Sequence, residues 1–475
     1  MPGRFLNTFR PISRLMPEVK APERRVSFRE KILWTAIVLV VYLVMSEIPI
    51  YGAVVSGTQD PYFYLRVIFA SNRGSLMELG IQPIVTAGMI IQLLVGAGMI
   101  GVDQSNPDDR SLLSGVTKFF SILMTTFLII AYISGGAYGR DLSFEKSLII
   151  FTQLFVAGVV LILLDELLQK GWGLGSGISL FIATGVSQKI IWNMFFPLSV
   201  EADGKAWGAL IAYFQSLLNR ENPLTAFVYR SRPDAPTMLG LVATIIVFVI
   251  VIYFETLKVE IPISYAKYKG FRSRYPVKLL YVSNIPVILV SSLFMDIYFV
   301  SQIIWSRFNP DSSNFWLNLL GTFNPATNEP AGGLAYYITS PRYFTQFTAE
   351  PLRGIIYGGL TIILCILFSV IWVEVGGVGP STVAKQLVDA GMQIPGYRRS
   401  IKPIQEVLER YIPAVTVLGA IAVGVIASFS DFFGVFGTGM GILLTVGVLN
   451  QFYQIIAQEQ LTEMYPIMRR LFGSE

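Results

Sequence analysis

Gly175-Ser176-Gly177-Ile178-Ser179-Leu180-Phe181-Ile182-Ala183-Thr184-Gly185 and Gly437-Thr438-Gly439-Met440-Gly441-Ile442-Leu443-Leu444-Thr445-Val446-Gly447 share the pattern G-[ST]-G-x-x-[IL]-x-[IL]-x-x-G. Each opens a long apolar run. A second, weaker echo links Pro83-Ile84-Val85 with Pro286-Val287-Ile288. Working outward from these strings, apolar runs bounded by charge or Pro/Gly fall near Ile32 to Tyr51, Ile81 to Ile100, Phe119 to Gly139, Leu148 to Leu164, Ile178 to Phe196, Met238 to Phe254, Leu279 to Trp305, Ile355 to Val373, Ile412 to Phe429 and Met440 to Ala457. That makes ten spans, and each echo joins runs five spans apart. A repeat of five spans reverses orientation on each passage, so the two halves are expected to be inverted copies about an axis in the membrane plane.

Composition agrees with a polytopic membrane protein. Of 475 residues, 53% are hydrophobic and 14% charged, with a mean hydropathy of +0.58. That is more apolar surface than one soluble core can hide. The sequence has no histidine, which removes the commonest general base and the commonest transition-metal ligand. It also lacks a G-x-x-x-x-G-K-[ST] phosphate cradle and shows no paired carboxylates within the spans. Neither an enzyme, nor a metal site, nor a cofactor is expected. Cys365, the one cysteine, sits in an apolar run and reads as packing. The basic N-terminus is followed by no small-residue cleavage site, so no cleavable signal is expected.

Lys and Arg set the orientation. Segments on the N-terminal side of the membrane carry 24 of the 36 basic residues, which predicts both termini and two large basic loops on the cytoplasmic side. The expected layout is an amphipathic N-terminus over 1–31, a first five-helix half over 32–197, an external loop over 198–237, a second half over 238–457 and a tail over 458–475. The basic loops fall at about 257–279 and 375–411. Between the first two spans lies a stretch at about 60–80 that is too charged to cross, carrying Arg66, Arg73 and Glu78. It reads either as a half-helix entering an aqueous cavity or as a helix lying on the membrane surface.

Several strings, in order along the whole chain, resemble the SecY-type protein-conducting channel, in particular its archaeal branch and more distantly the endoplasmic-reticulum branch. They include Ala70-Ser71-Asn72-Arg73-Gly74, Leu79 through Leu94, Leu164-Asp165-Glu166-Leu167 and Gly175 through Phe181. Further on come Tyr275-Pro276-Val277-Lys278, Ser283-Asn284-Ile285-Pro286, Trp372-Val373-Glu374, Arg410-Tyr411-Ile412-Pro413 and Gly437-Thr438-Gly439.

The resemblance implies an all-α channel of two inverted five-helix halves with a re-entrant plug half-helix. It implies a waist ring of Ile81, Val85, Ile178, Ile182, Ile288 and Leu444, and a plug that includes Tyr62, Phe63, Leu65, Arg66, Ile68, Phe69, Ala70, Ser71 and Asn72. Branched aliphatics suit a seal because a narrow apolar constriction dewets and stops ions. Two pairs in the ring are spaced i,i+4, so each faces one way from its helix. The second and third spans against the seventh and eighth would form a lateral gate carrying Thr86, Gln92, Asn284, Ser291 and Asp296. Asparagine is more usual than aspartate at the last position. Pro83 and Pro286 are expected to weaken the gate helices from within.

The same resemblance makes the basic loops a ribosome-docking platform carrying Lys267, Lys269, Arg272, Arg274, Arg398, Arg399 and Lys402. Implied partners are small single-span SecE/γ-type and β-type subunits, the ribosome, signal peptides and nascent polypeptides, and the lipid bilayer. The implied location is an archaeal cell membrane, or alternatively the endoplasmic-reticulum membrane. The rival reading is a secondary transporter, which can share inverted repeats but normally places ionisable residues at the midplane, where this sequence has few.

Overall fold

The computed structural model describes residues 10–11, 16–24, 26–53, 70–96, 99–101, 107–134, 138, 142–199, 204–231, 235–265, 272–280, 282, 285–324, 329–341, 344–393 and 400–464. A helix covers each of the ten expected runs. In the first half these are α1 (Phe28–Glu47), α2 (Gln82–Gly96), α3 (Pro107–Ser134), α4 (Phe144–Leu167) and α5 (Gly177–Phe195). Two short outer helices follow, α6 (Ala209–Leu218) and α7 (Pro223–Val228), and then α8 (Met238–Thr256) opens the second half. After a hairpin of β1 (Lys258–Tyr265) and β2 (Arg272–Lys278) comes α9 (Ile285–Phe308). Next are α10 (Phe315–Leu320), a small ribbon of β3 (Thr322–Phe323) and β4 (Pro330–Gly332), α11 (Gly333–Tyr337) and α12 (Phe344–Ala349). The chain ends with α13 (Pro351–Val375), α14 (Pro380–Asp389), β5 (Met392–Gln393), α15 (Ile401–Phe432) and α16 (Gly439–Met464). Seven of these helices are long and apolar enough to cross a membrane on length and composition alone.

The first helix shows how the sequence sets an element. Ser27 and Glu30 cap it reciprocally, the Glu30 amide donating to Ser27 Oγ at 3.3 Å and the Ser27 amide to Glu30 Oε2 at 3.4 Å. Beyond the cap, Val38, Tyr42 and Met45 recur on one buried face while Leu33, Ile37, Val40 and Val44 stay exposed on the other. In α8 the exposed face, Ile245, Ile246, Val249 and Ile252, is as apolar as the buried one. Such surface is stable only against lipid.

The two halves pack by one scheme. In the first, α2 packs on α3, α3 on α4, α4 on α5, and α1 on both α4 and α5. Advance each helix by five spans and the same pairings recur, with α9 on α13, α13 on α15, α15 on α16, and α8 on both α15 and α16. The halves meet where α5 packs on α16 and where α2 packs on α9 and α13.

Both G-[ST]-G strings perform the same local task. The first glycine of each is left-handed, Gly175 at φ +65° and Gly437 at φ +79°, which turns the chain back on itself. The third starts the helix, pressed on the helix before it. A β-carbon on Gly177 would stand 2.7 Å from Asp165 Cα, and one on Gly439 would stand 2.3 Å from Ser430 Cβ. An aspartate near the end of that preceding helix then caps the new one. Asp165 Oδ1 accepts from the Ile178 amide at 3.0 Å, and Asp431 Oδ1 from the Gly439 amide at 3.1 Å.

Three local features depart from expectation. Pro83 and Pro286 are each the second residue of their helix, because the helices begin at Gln82 and Ile285. In a first turn the missing N–H has no partner to lose, so these prolines start the helices and do not weaken them. The proline inside a helix is Pro413, in α15. Residues 70–80, expected to continue the half-helix, run as turns bridged at Pro49 and Ser75. Finally, the basic loops contain strands where only helix was expected of the fold. β1 pairs antiparallel with β2, and β5 adds to β1 through Ser264 with Gln393 and Tyr265 with Met392.

Candidate functional site

The predicted ring residues come from four helices, which form two symmetry-related pairs. Val85 is the fourth residue of α2 and Ile288 the fourth of α9, while Ile182 is the sixth of α5 and Leu444 the sixth of α16. Ile81 immediately precedes α2, its carbonyl accepting from the Val85 amide at 3.1 Å, and Ile178 lies in the first turn of α5. All six side chains belong to one continuous apolar cluster. Ile81, Ile182 and Leu444 are buried, whereas Val85, Ile178 and Ile288 are half-buried. The ring therefore comes from the opening turns of helices that the capped glycine turns and helix-starting prolines hold in register.

Of the plug residues, Tyr62, Phe63, Leu65, Arg66, Ile68 and Phe69 lie outside the described residues. Ala70, Ser71 and Asn72 are held against α1 and α5. Tyr42 Oη donates to the Ala70 carbonyl at 3.0 Å, Asn72 Nδ2 to the Ser46 carbonyl at 3.2 Å and Lys189 Nζ to the Ser71 carbonyl at 3.4 Å. The turn behind them is locked by buried Glu78, which accepts from the Gly74 amide. Gly185 leaves room for the bond from Tyr42, since a β-carbon there would stand 3.0 Å from Tyr42 Oη.

The seam between α2, α3 and α9 is closed by side chains that pair in register. Gln82 Nε2 donates to Asp296 Oδ1 at 3.4 Å, and Thr86 Oγ1 shares a hydrogen bond with Ser292 Oγ at 3.1 Å. Advancing four residues on α2 retreats four on α9, as antiparallel helices require. Tyr132 of α3 stacks on Phe299 with ring centres 4.6 Å apart, and Arg307 donates to the Ser134 carbonyl at 3.2 Å. At the other end of the seam, Met89, Gln92, Leu93, Leu289, Ile371 and Trp372 line a cleft of about 230 Å³. Thus Thr86, Gln92 and Asp296 lie on the seam, and Asp296 spends its acceptor on Gln82 across it. Ser291 faces the other way, donating to the Val287 carbonyl at 2.7 Å with its Oγ 3.0 Å from Met440 Sδ of α16. Asn284 lies outside the described residues. Sequence reading missed Gln82, Tyr132, Ser292 and Phe299; the four-residue spacing of Gln82 with Thr86 and of Ser292 with Asp296 was the available signal.

The basic loops converge. Both contribute strands to one three-stranded sheet, in which β5 runs antiparallel to β1, Met392 lying opposite Tyr265 at the hairpin end and Gln393 one step back opposite Ser264. Lys267, Lys269, Arg398 and Arg399 fall outside the described residues, and Arg272 is described as backbone of β2. Arg274 is exposed and donates to Glu260 Oε2 at 2.7 Å, with Lys258 3.1 Å from the same carboxylate. Those hydrogen bonds, Arg274 first, hold the Glu260 carboxyl below its ordinary range. Lys402 is exposed at the start of α15. Among the described residues, no three His, Cys, Asp or Glu come close enough to hold a metal ion.

Comparison with known proteins agrees with this geometry. The family model described as SecY matches residues 75–453, and one described as the plug domain of Sec61p matches residues 40–74. Protein translocase subunit SecY of Pyrococcus furiosus is 44% identical over 473 residues, covering 98% of each chain. A solved structure described as that of a protein conducting channel superposes with a TM-score of 0.80 at 36% identity, covering 96% of this chain and 98% of the other. Sec61 in the canine ribosome-channel complex from the endoplasmic reticulum gives a TM-score of 0.78 at 34% identity, with the same 96% and 98% coverage.

Proposed function

This chain belongs to the SecY family of protein translocase subunits, and from that premise we propose that its six-residue aliphatic ring is the seal, and the seam of α2 and α3 against α9 and α13 the lateral gate, of a protein-conducting channel. The chain is a multi-pass membrane protein and the pore-forming subunit of that channel, through which secretory polypeptides cross the membrane and from which transmembrane segments are released sideways into lipid. The observation that carries the residue assignment is positional. Val85 and Ile288, and likewise Ile182 and Leu444, hold equal places on symmetry-related helices, which is what an inverted repeat requires of a ring built from both halves.

In this reading the channel supplies no chemistry. Its ring excludes ions by dewetting when idle and spreads around a passing chain, since branched aliphatics offer that chain no fixed partners. Residues Tyr62 to Asn72 form the plug, anchored at Ala70 to Asn72. Both termini and the converging basic loops face the cytoplasm, in an archaeal cell membrane, where Lys267, Lys269, Arg272, Arg274, Arg398, Arg399 and Lys402 receive the ribosome. Small single-span subunits of the SecE/γ and β types complete the complex. A secondary transporter is not favoured, because the relatives are protein-conducting channels.

The test replaces Ile81, Val85, Ile178, Ile182, Ile288 and Leu444 with serine in the complex reconstituted in planar bilayers. The idle channel should then pass ions while the wild type stays at background. Conductance at background in the variant refutes the seal assignment. Polypeptide passage is checked separately, in liposomes with programmed ribosomes.

A further inference from the structure

Asp165 and Asp431 perform the same cap in the two halves, yet their second oxygens are used differently. Asp165 Oδ2 accepts from Gln169 Nε2 at 2.7 Å, one turn along its own helix. Asp431 Oδ2 instead accepts from Tyr357 Oη at 3.1 Å, and Tyr357 belongs to α13, the helix of the same half that borders the seam. Asp431 is buried to 2% exposure and Tyr357 to 4%, with Ser340 close to the same carboxylate. The link continues toward the gate, because the Tyr357 ring lies against Phe294 of α9 with centres 6.1 Å apart. It continues toward the seal as well, since the Gly439 amide held by Oδ1 begins the helix that carries Leu444. Ser291 of α9, its Oγ 3.0 Å from Met440 Sδ, makes a second contact with that same first turn.

We propose that the Asp431 carboxylate is a positioning residue that ties gate helix α13, through Tyr357, to the start of seal helix α16, so that parting the gate and widening the seal become one event. The proposal rests on the seal and gate assignments made above. Its physical content is a symmetry breaking. A cap needs one carboxylate oxygen, and only in the second half does the other oxygen leave its own helix to bind a helix of the seam. A buried hydroxyl and the carboxylate it donates to resist separation, because parting them forfeits a hydrogen bond to a charged group in an apolar surround.

With the link cut, α13 can part from α2 and α3 without carrying the start of α16, so substrates that open the gate poorly should be admitted. The measurement is the export of a precursor with a shortened apolar signal, relative to the intact precursor, by the reconstituted full complex. Tyr357→Phe keeps the ring against Phe294 and deletes only the hydroxyl. It should raise that ratio roughly ten-fold, the lower end expected for losing a hydrogen bond to a charged group. Asp431→Asn keeps the size and gives up the charge, and it should shift the ratio in the same direction should the first variant not assemble.

Tyr336→Phe is the matched control. Tyr336 also donates to a carboxylate, Glu350 Oε2 at 2.5 Å, but at the exposed outer surface. It should leave the ratio at the wild-type value. A wild-type ratio in both Tyr357→Phe and Asp431→Asn, or an equal rise in Tyr336→Phe, overturns the proposal. The seal assignment fails on a different readout, the idle conductance of Leu444→Ser.

Discussion

Replacing Ser292 with alanine leaves the buried Thr86 hydroxyl without its partner across the seam, since the two oxygens lie 3.1 Å apart and both residues are closed to solvent. An unsatisfied buried hydroxyl costs about 1–3 kcal/mol, whereas replacing both partners by apolar groups of similar shape is nearly neutral. Ser292→Ala should therefore raise the open probability of the idle channel, and the double variant Thr86→Val with Ser292→Ala should return most of it. Single-channel recording of the two singles and the double closes the cycle, and strictly additive effects would show that the hydroxyls do not interact. The neighbouring serine shows where sequence reading stops. One step along an α-helix turns a side chain by about 100°, so Ser292 meets α2 while Ser291 meets Met440 of α16. Sequence marked a polar patch on this helix, but which serine faces the seam depends on how the helix is rotated by its packing. The helix positions of the proposed ring residues were more legible, because their motifs mark where the helices begin.

At the scale of elements, the capped glycine turn is the unit the sequence repeats, and its tolerance for side chains should follow the space around it. A β-carbon on Gly439 would stand 2.3 Å from Ser430 Cβ and 2.7 Å from the Ala427 carbonyl, both on the rigid face of α15. Gly439→Ala should cost about 1–3 kcal/mol by overpacking, and Gly177→Ala, against the Asp165 backbone, should behave alike. Gly359, inside α13, has nothing within 4 Å of its missing β-carbon. There alanine should stabilise by up to about 1 kcal/mol through helix propensity. Thermal unfolding of the purified complex reads both, and equal effects at Gly439 and Gly359 would refute the close packing of the turn. The positions of all ten helices were legible because lipid-facing runs are long and apolar. Their starts were not, and the misreading of Pro286 came from there. Its apolar run begins at Leu279, but the helix waits until Ile285. The residues between are apolar for another reason, since Leu280 and Val282 are buried against the bundle.

For the whole molecule, the side of the membrane to which a loop belongs is written in its charge, but the shape the loops make together is not. The excess of Lys and Arg marks two loops far apart in sequence as one face. Their union in one sheet arises because β5 is only two residues long and finds its partner on β1, a long-range pairing without a sequence signal. That union ties the two basic loops to one sheet, and the attractions of their cations to a polyanion such as ribosomal RNA should add. Removing Arg398 and Arg399 by alanine substitution should weaken ribosome binding and lower the slope of log affinity against log salt by about 0.7–0.9 for each phosphate that is no longer neutralised. Arg274→Ala should do less, because Glu260 already holds that guanidinium at 2.7 Å and offsets its charge. Co-sedimentation with ribosomes across a salt series measures both slopes. An unchanged slope in the Arg398 and Arg399 variant would mean that the second tip meets its partner by shape and not by charge. The shared sheet would then serve to hold the two loops together, a role that the short β5 pairing can fill without any cation touching RNA.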